Sequence, residues 1–227
     1  MSNLYIIATP IGNLEDITFR AIKILKSVDF IIAEDTRHAQ ILLKKYDIKK
    51  IPLESFHAKS SEKKLDNVCQ KIYENNSAAY ISDAGTPCIS DPGFRLIKKC
   101  VENKIKIIPI PGPSALTTLL SVSGIPVDRF KFLGFLPHKK GRQKILQSFI
   151  DAEVAQVFFE SVYRFEKMLN ELEKYCGKNR QIIIGRELTK IYEEIFRGTI
   201  EDAKKYFTKN KIKGEFVVIV GTEKMMK

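Results

Sequence analysis

The stretch Leu4-Tyr5-Ile6-Ile7-Ala8-Thr9-Pro10-Ile11-Gly12-Asn13 carries an unbroken apolar run straight into a loop of proline, glycine and small polar residues. An apolar run this short is strand length, and its lack of polar alternation suits a strand covered on both faces. The pattern recurs twice. Ala78–Ser82 runs into Ser82-Asp83-Ala84-Gly85-Thr86-Pro87 and on to Ser90-Asp91-Pro92-Gly93, and Ile105–Ile110 runs into Pro111-Gly112-Pro113-Ser114-Ala115. A fourth apolar run, Asp29–Glu34, ends instead on charge, in Ala33-Glu34-Asp35-Thr36-Arg37-His38.

Amphipathic segments separate these runs. Helices are predicted over Thr18–Val28, with Asp16 as candidate N-cap, over Thr36–Tyr46 and over Ser61–Glu74. Another is predicted to open at Asp91-Pro92, an N-cap followed by proline in the first turn, and to run through Val101. Strands alternating with helices imply βαβ units and a largely parallel sheet. The second half reads differently. Strands are predicted over Phe132–Leu136, Gln156–Glu160, Gln181–Arg186, Tyr192–Arg197 and Glu215–Val220. Helices are predicted over Gly141–Ile150, Arg164–Cys176 and Thr199–Tyr206, the last with Thr199 and Asp202 at capping-box spacing. Two consecutive strands, 181–186 and 192–197, imply an antiparallel pair and a mixed sheet. Ser123-Gly124-Ile125-Pro126-Val127 marks the expected boundary, giving α/β domains over residues 1–122 and 123–227.

Composition narrows the classes. At 44% hydrophobic and 29% charged residues the chain resembles a folded globular protein, not a disordered one. No apolar run approaches the roughly 20 residues of a membrane span, and Met1-Ser2-Asn3 leads directly into the first strand without a signal-peptide pattern. A cytoplasmic protein is expected. The four cysteines are far apart in sequence, without Cys-x-x-Cys spacing, so reduced thiols and no metal site are expected. The net charge is +11, with 17 Lys+Arg against 13 Asp+Glu in residues 1–118 and 21 against 14 in residues 119–227. A basic excess favours a polyanionic partner such as RNA, although lysine-rich surfaces also occur on proteins that touch no nucleic acid.

In an open parallel sheet, ligands bind where loops leave the carboxyl ends of the strands. Glycines there allow close backbone approach, and prolines hold the loops rigid. There is no Gly-x-x-x-x-Gly-Lys-Ser/Thr loop and no Gly-x-Gly-x-x-Gly after the first strand. Because prolines replace backbone donors, a phosphate cradle is disfavoured. A cationic ligand with an amino-acid tail, such as an adenosyl sulfonium, suits carbonyl-rich loops better. Each loop can also be read as a tight strand-to-helix connection. Similarly, Asp35 can be a helix N-cap with Arg37 as its local ion-pair partner.

As a set, Ala8-Thr9-Pro10-Ile11-Gly12-Asn13-Leu14, Ala33-Glu34-Asp35-Thr36-Arg37, Ser82-Asp83-Ala84-Gly85-Thr86-Pro87 and Pro111-Gly112-Pro113-Ser114-Ala115 resemble the signature segments of one family. It is the small-subunit ribosomal RNA methyltransferases of the tetrapyrrole methylase superfamily. Gly134-Phe135-Leu136-Pro137, Phe159-Glu160-Ser161, Arg186-Glu187-Leu188-Thr189-Lys190 and Gly214-Glu215-Phe216-Val217 extend the resemblance along the chain. One departure is visible: Val162-Tyr163-Arg164 stands where the family often has Pro-His or Thr-His-Arg, with Arg164 retained. The resemblance implies two α/β domains of the tetrapyrrole methylase type, with S-adenosyl-L-methionine (AdoMet) in the cleft between them, and commonly a homodimer. The implied reaction is methylation of the ribose 2′-oxygen of a cytidine in the decoding region of 16S rRNA, within the small ribosomal subunit. Carried over by segment, the cofactor-binding residues are Pro10, Ser82, Asp83, Ala84, Thr86, Ser114, Ala115 and Glu160.

Methyl transfer from a sulfonium is an in-line displacement, so alignment matters most. A ribose hydroxyl is a weak nucleophile, and a base helps by roughly 10²–10⁴-fold. Glu34 or Asp35 is the expected base, with Arg37 or Arg186 positioning a neighbouring phosphate. Lys139, Lys140, Arg142 and Lys144 form a compact basic run expected to dock RNA, unless it is only a solvated helix start. Two other readings remain: a methylase of tetrapyrroles or another small anion, and a non-catalytic RNA-binding module.

Overall fold

Phe30-Ile31-Ile32-Ala33 is buried along its whole length, and its side chains alternate between two separate cores. That is the mark of a strand with helices on both faces. The computed structural model describes residues 2–208 and 213–226. The chain divides into two units, Met1–Ser114 and Ala115–Lys227.

The first unit holds β1 (Asn3–Ile7), α1 (Phe19–Leu25), β2 (Phe30–Ala33), α2 (Thr36–Lys45), β3 (Leu53–Ser55), α3 (Glu62–Glu74), β4 (Ser77–Ile81), α4 (Phe94–Glu102) and β5 (Lys106–Ile110). Its sheet has the order β3-β2-β4-β1-β5, and every pairing is parallel. Helices α1 and α2 bury Leu25, Leu42 and Leu43 against one face, while α3 and α4 bury Leu65, Ile72 and Leu96 against the other. Pro109 is tolerated within β5 because that strand lies at the sheet edge.

Two helix starts differ from expectation. Helix α1 is capped by Thr18, whose hydroxyl accepts the Ala21 N–H at 3.1 Å, and Asp16 lies in a preceding 3-10 turn. Helix α4 begins at Phe94, with Gly93 as its N-cap, instead of at Asp91-Pro92. The cause is Tyr80, a fully buried ring around which the chain must pass. A Cβ on Gly93 would lie 2.6 Å from that ring and 2.7 Å from Cys88 Sγ, at φ +134°. Tyr80 also donates to the Pro92 carbonyl at 2.9 Å, fixing the segment before the helix.

The second unit contains α5 (Ala115–Ser121), β6 (Phe130–Phe135), α6 (Arg142–Gln147), β7 (Ala155–Ser161), α7 (Val162–Cys176), β8 (Gln181–Arg186), β9 (Glu194–Thr199), α8 (Ile200–Thr208) and β10 (Glu215–Val220). Its sheet, ordered β6-β7-β10-β8-β9, is mixed: β6 runs parallel to β7, and the remaining pairs are antiparallel. The β8–β9 pair is the expected antiparallel pair. Helices α6, α7 and α8 cover one face through Leu146, Phe165, Leu172 and Phe207, with Phe165 stacked on Phe216 at 4.1 Å between centroids. Helix α5 lies on this unit's sheet, Leu119 filling the space that a Cβ on Gly185 would take. At the start of α8 the capping box closes, Thr199 N–H donating to Asp202 and Asp202 N–H to Thr199 Oγ1, each at 3.1 Å. No helix among the described residues is long and apolar enough to cross a membrane.

Candidate active site

Because all strands of the first sheet are parallel, their carboxyl ends share one edge, and each end delivers a segment there. β1 delivers Thr9 and Pro10, β4 delivers Ser82 to Pro87, and β5 delivers Pro111 to Ser114. The first two loops are zipped together: Thr9 and Gly85 exchange N–H···O bonds of 2.9 Å in both directions. Thr9 Oγ1 also donates to the Ser82 carbonyl at 3.2 Å. Thr86 Oγ1 donates to the Pro113 carbonyl at 3.2 Å, tying the second loop to the third. Gly112 passes close to β1, since a Cβ there would lie 3.1 Å from that of Ala8. The three expected cofactor loops are therefore one rigid assembly.

Within it the predicted residues take different places. Asp83 and Ala84 are exposed at the rim. Ser82 is buried, its hydroxyl donating to Ala84 O at 3.4 Å, so with Thr86 it shapes the loops. Pro10 is buried beside Thr9, Ser114 is half-buried at the end of the first unit, and Ala115 opens α5. Beyond this loop, Cys88 and Ser90 adopt left-handed φ of 71° and 64°. Strained backbone of this kind clusters at functional sites, and the sequence carries no sign of it.

The neighbouring strand ends gather titratable groups. Glu34 and Asp35 leave β2 directly beside Ser82 and Asp83 of β4, and His57 follows the end of β3. Asp83 links the two strands: its carboxylate accepts the Asp35 N–H at 3.1 Å and lies 3.1 Å from His38 Nδ1. Burial, reinforced by the Asp83 charge, pushes the Glu34 carboxyl above its ordinary range. Asp35 is the opposite case. It caps α2 by accepting the Arg37 N–H at 2.8 Å, and it takes the Arg37 guanidinium on both oxygens. The Arg37 hydrogen bonds hold its carboxyl well below the usual carboxylate range. A carboxylate that firmly ionised is a poor proton acceptor, and the two candidate bases are thereby separated. His38, in the first turn of α2, is not among the residues expected at the site. Its only sequence signal is its place three residues after Asp35.

The family model of the tetrapyrrole (corrin/porphyrin) methylases matches residues 3–204. The chain belongs to that family. Methyl transfer is its class of reaction. The methylase is 45% identical over 220 residues to a ribosomal RNA small subunit methyltransferase I of Thermotoga maritima, covering 97% of this chain and 98% of that one. It is 44% identical to the protein of the same name from Pasteurella multocida, over 96% of this chain and 78% of the relative. The solved structure of the methyltransferase CobJ shares the fold, with a TM-score of 0.74 at 17% identity over 98% of this chain and 95% of CobJ.

In the methylase's second unit, several expected roles change. Glu160 lies in a row across the sheet with Phe216, Arg186 and Glu194. Phe216 faces the helix-covered core, so Glu160 does too. Its side chain is fully buried, 2.7 Å from Arg164 and 3.3 Å from Arg142, and it accepts the Ser161 N–H at 2.9 Å. The Glu160 carboxylate is therefore occupied by an ion-pair network inside its own unit. Arg142 is turned inward as well. Only 4% exposed, it pairs with Glu160 and Glu171 and donates to Pro137 O, so no RNA phosphate reaches it. Arg186 is engaged by Glu194 and the Lys213 carbonyl. Lys139, Lys140 and Lys144 remain exposed.

Proposed function

We propose that this methylase transfers the methyl group of AdoMet to the ribose 2′-oxygen of a cytidine in the decoding region of 16S rRNA, in the small ribosomal subunit. The observation that carries the reading is the rigid assembly of three proline- and glycine-rich loops beside Glu34, Asp35 and Asp83. Pro10, Pro87, Pro111 and Pro113 have no N–H, and the N–H groups of Thr9 and Gly85 are spent on each other. A donor-poor edge with three nearby carboxylates suits a sulfonium cation and repels a phosphate. Pro10, Asp83, Ala84, Ser114 and Ala115 would hold AdoMet there, with Ser82 and Thr86 shaping the loops. When bound, AdoMet supplies an electrophilic methyl group on sulfur.

Glu34 is the proposed base. Its raised carboxyl basicity lets it take the ribose hydroxyl proton as the oxygen–methyl bond forms and the sulfur–methyl bond breaks. Arg37, exposed beyond its Asp35 pair, positions an adjacent phosphate, and Lys139 and Lys140 contribute to docking. RNA as acceptor is supported by the +11 net charge and by the names of the relatives. The family resemblance supports a homodimer, and the sequence pattern supports a cytoplasmic location.

The test is incubation with labelled AdoMet and, separately, 16S rRNA, intact small subunits or a porphyrin precursor. Label in the RNA or the subunits is expected. Label only in the porphyrin precursor would replace this reading with the small-anion one, and label in none of them would leave a binding module.

A further inference from the structure

The loop between β6 and α6 is held from beneath by two arginines of its own unit. Arg164 donates to Leu136 O at 2.7 Å and Arg142 to Pro137 O at 3.2 Å. Both converge on the buried Glu160 carboxylate, and Arg142 is also 2.7 Å from Glu171. This network fixes the backbone that displays Lys139 and Lys140, both exposed and, among the described residues, in no ion pair. The residue preceding Arg164 is Tyr163, in the first turn of α7. Its side chain is 95% exposed. The same anchor that fixes the lysine loop therefore fixes the backbone beneath this ring.

An exposed tyrosine ring offers a flat π face on which a planar partner can stack. Its surroundings indicate which partner. The outer face of α7 beside it carries Glu166, Lys167, Asn170 and Lys174, a polar groove with no second large apolar side chain. Protein interfaces bury an apolar core. A single aromatic platform among polar groups, linked through Arg164 to a loop that carries two exposed lysines, matches how unpaired nucleobases are held.

We propose that Tyr163 and the Lys139–Lys140 loop form one docking site for single-stranded RNA, an unpaired base stacking on the Tyr163 ring and flanking phosphates lying on the two lysines. The proposal rests on RNA being the acceptor. It adds a base-stacking residue and assigns Glu160, Arg142 and Arg164 the task of positioning the site.

The experiment is fluorescence anisotropy of a short unstructured oligoribonucleotide with the full chain over a range of salt concentrations. Tyr163→Ala is expected to weaken binding about five- to a hundredfold while leaving the salt slope unchanged, because stacking releases no counterions. Tyr163→Phe keeps the π face and is expected to bind within about twofold of wild type, which a purely polar role for the hydroxyl would not give. The double variant Lys139→Ala, Lys140→Ala is expected to lower the salt slope by about one to two units. If wild type binds and Tyr163→Ala binds equally well, the stacking site is wrong and the acceptor reading stands. If Tyr163→Ala instead converts a dimer to a monomer in sedimentation, the ring belongs to a protein interface and the proposal falls. If wild type does not bind the oligoribonucleotide, the docking site fails, and the acceptor reading fails only if 16S rRNA and intact subunits also take no label from AdoMet.

Discussion

Replacing Glu160 separates a cofactor ligand from a structural ion pair. Its side chain is fully buried and lies between Arg142 and Arg164, which are 5% and 15% exposed. Removing one partner of a buried pair costs about 3–5 kcal/mol, because the remaining charge is left without compensation. Arg142 retains Glu171 at 2.7 Å and the Pro137 carbonyl, and Arg164 retains the Leu136 carbonyl at 2.7 Å. These remaining partners place Glu160→Ala at the lower end, about 3 kcal/mol. With a urea dependence of about 1–3 kcal/mol per molar, the unfolding midpoint followed by circular dichroism should fall by about 1–3 M. AdoMet affinity, measured calorimetrically where the variant is folded, should change little. An unshifted midpoint together with a large loss of AdoMet affinity would refute the assignment.

Substitutions at three residues of the first unit give further outcomes. Asp35→Ala removes the α2 N-cap and should lower stability by about 1 kcal/mol in thermal unfolding, whereas Asp35→Asn should keep both cap and single-turnover rate; a large rate loss in Asp35→Asn would make Asp35 the base. Glu34 must be ionised to accept a proton, so the rate should fall as pH drops through a carboxyl pKa above the ordinary 4.5, and Glu34→Gln should abolish that limb. Because folding raises that pKa, ionised Glu34 weakens the fold as pH rises, and Glu34→Gln should be no less stable than wild type at neutral pH. Gly93→Ala places a Cβ 2.6 Å from the Tyr80 ring at φ +134° and should cost on the order of 3 kcal/mol; an unchanged melting temperature would contradict the account of where α4 starts.

Sequence patterns reveal what depends on local periodicity. The continuous apolar character of Phe30-Ile31-Ile32-Ala33 implies a strand buried on both faces, and the three strand-to-loop transitions imply loops gathered at one sheet edge, as the structure has them. Strand β3 was not expected, because three residues carry too little periodicity to stand out. The α4 start was misread because Asp91-Pro92 is a sound local signal overridden by a distant ring, Tyr80. Arg142 was grouped with the lysines beside it because a linear run of cations says nothing about which side chain turns inward. Its burial is set by Glu160 and Glu171, 18 and 29 residues away. Glu34 and Asp35 looked equivalent as adjacent carboxylates. The Arg37 pairing on one and the Asp83 contact on the other tell them apart, and the second involves a residue 48 positions distant from Asp35.

The most direct measurement is nucleoside mass spectrometry of small-subunit rRNA after incubation with the protein and isotopically labelled AdoMet. The account predicts label in one nucleoside, a cytidine carrying the new methyl group on its ribose. Label on a base, or no label in the RNA while AdoMet binds, would contradict it.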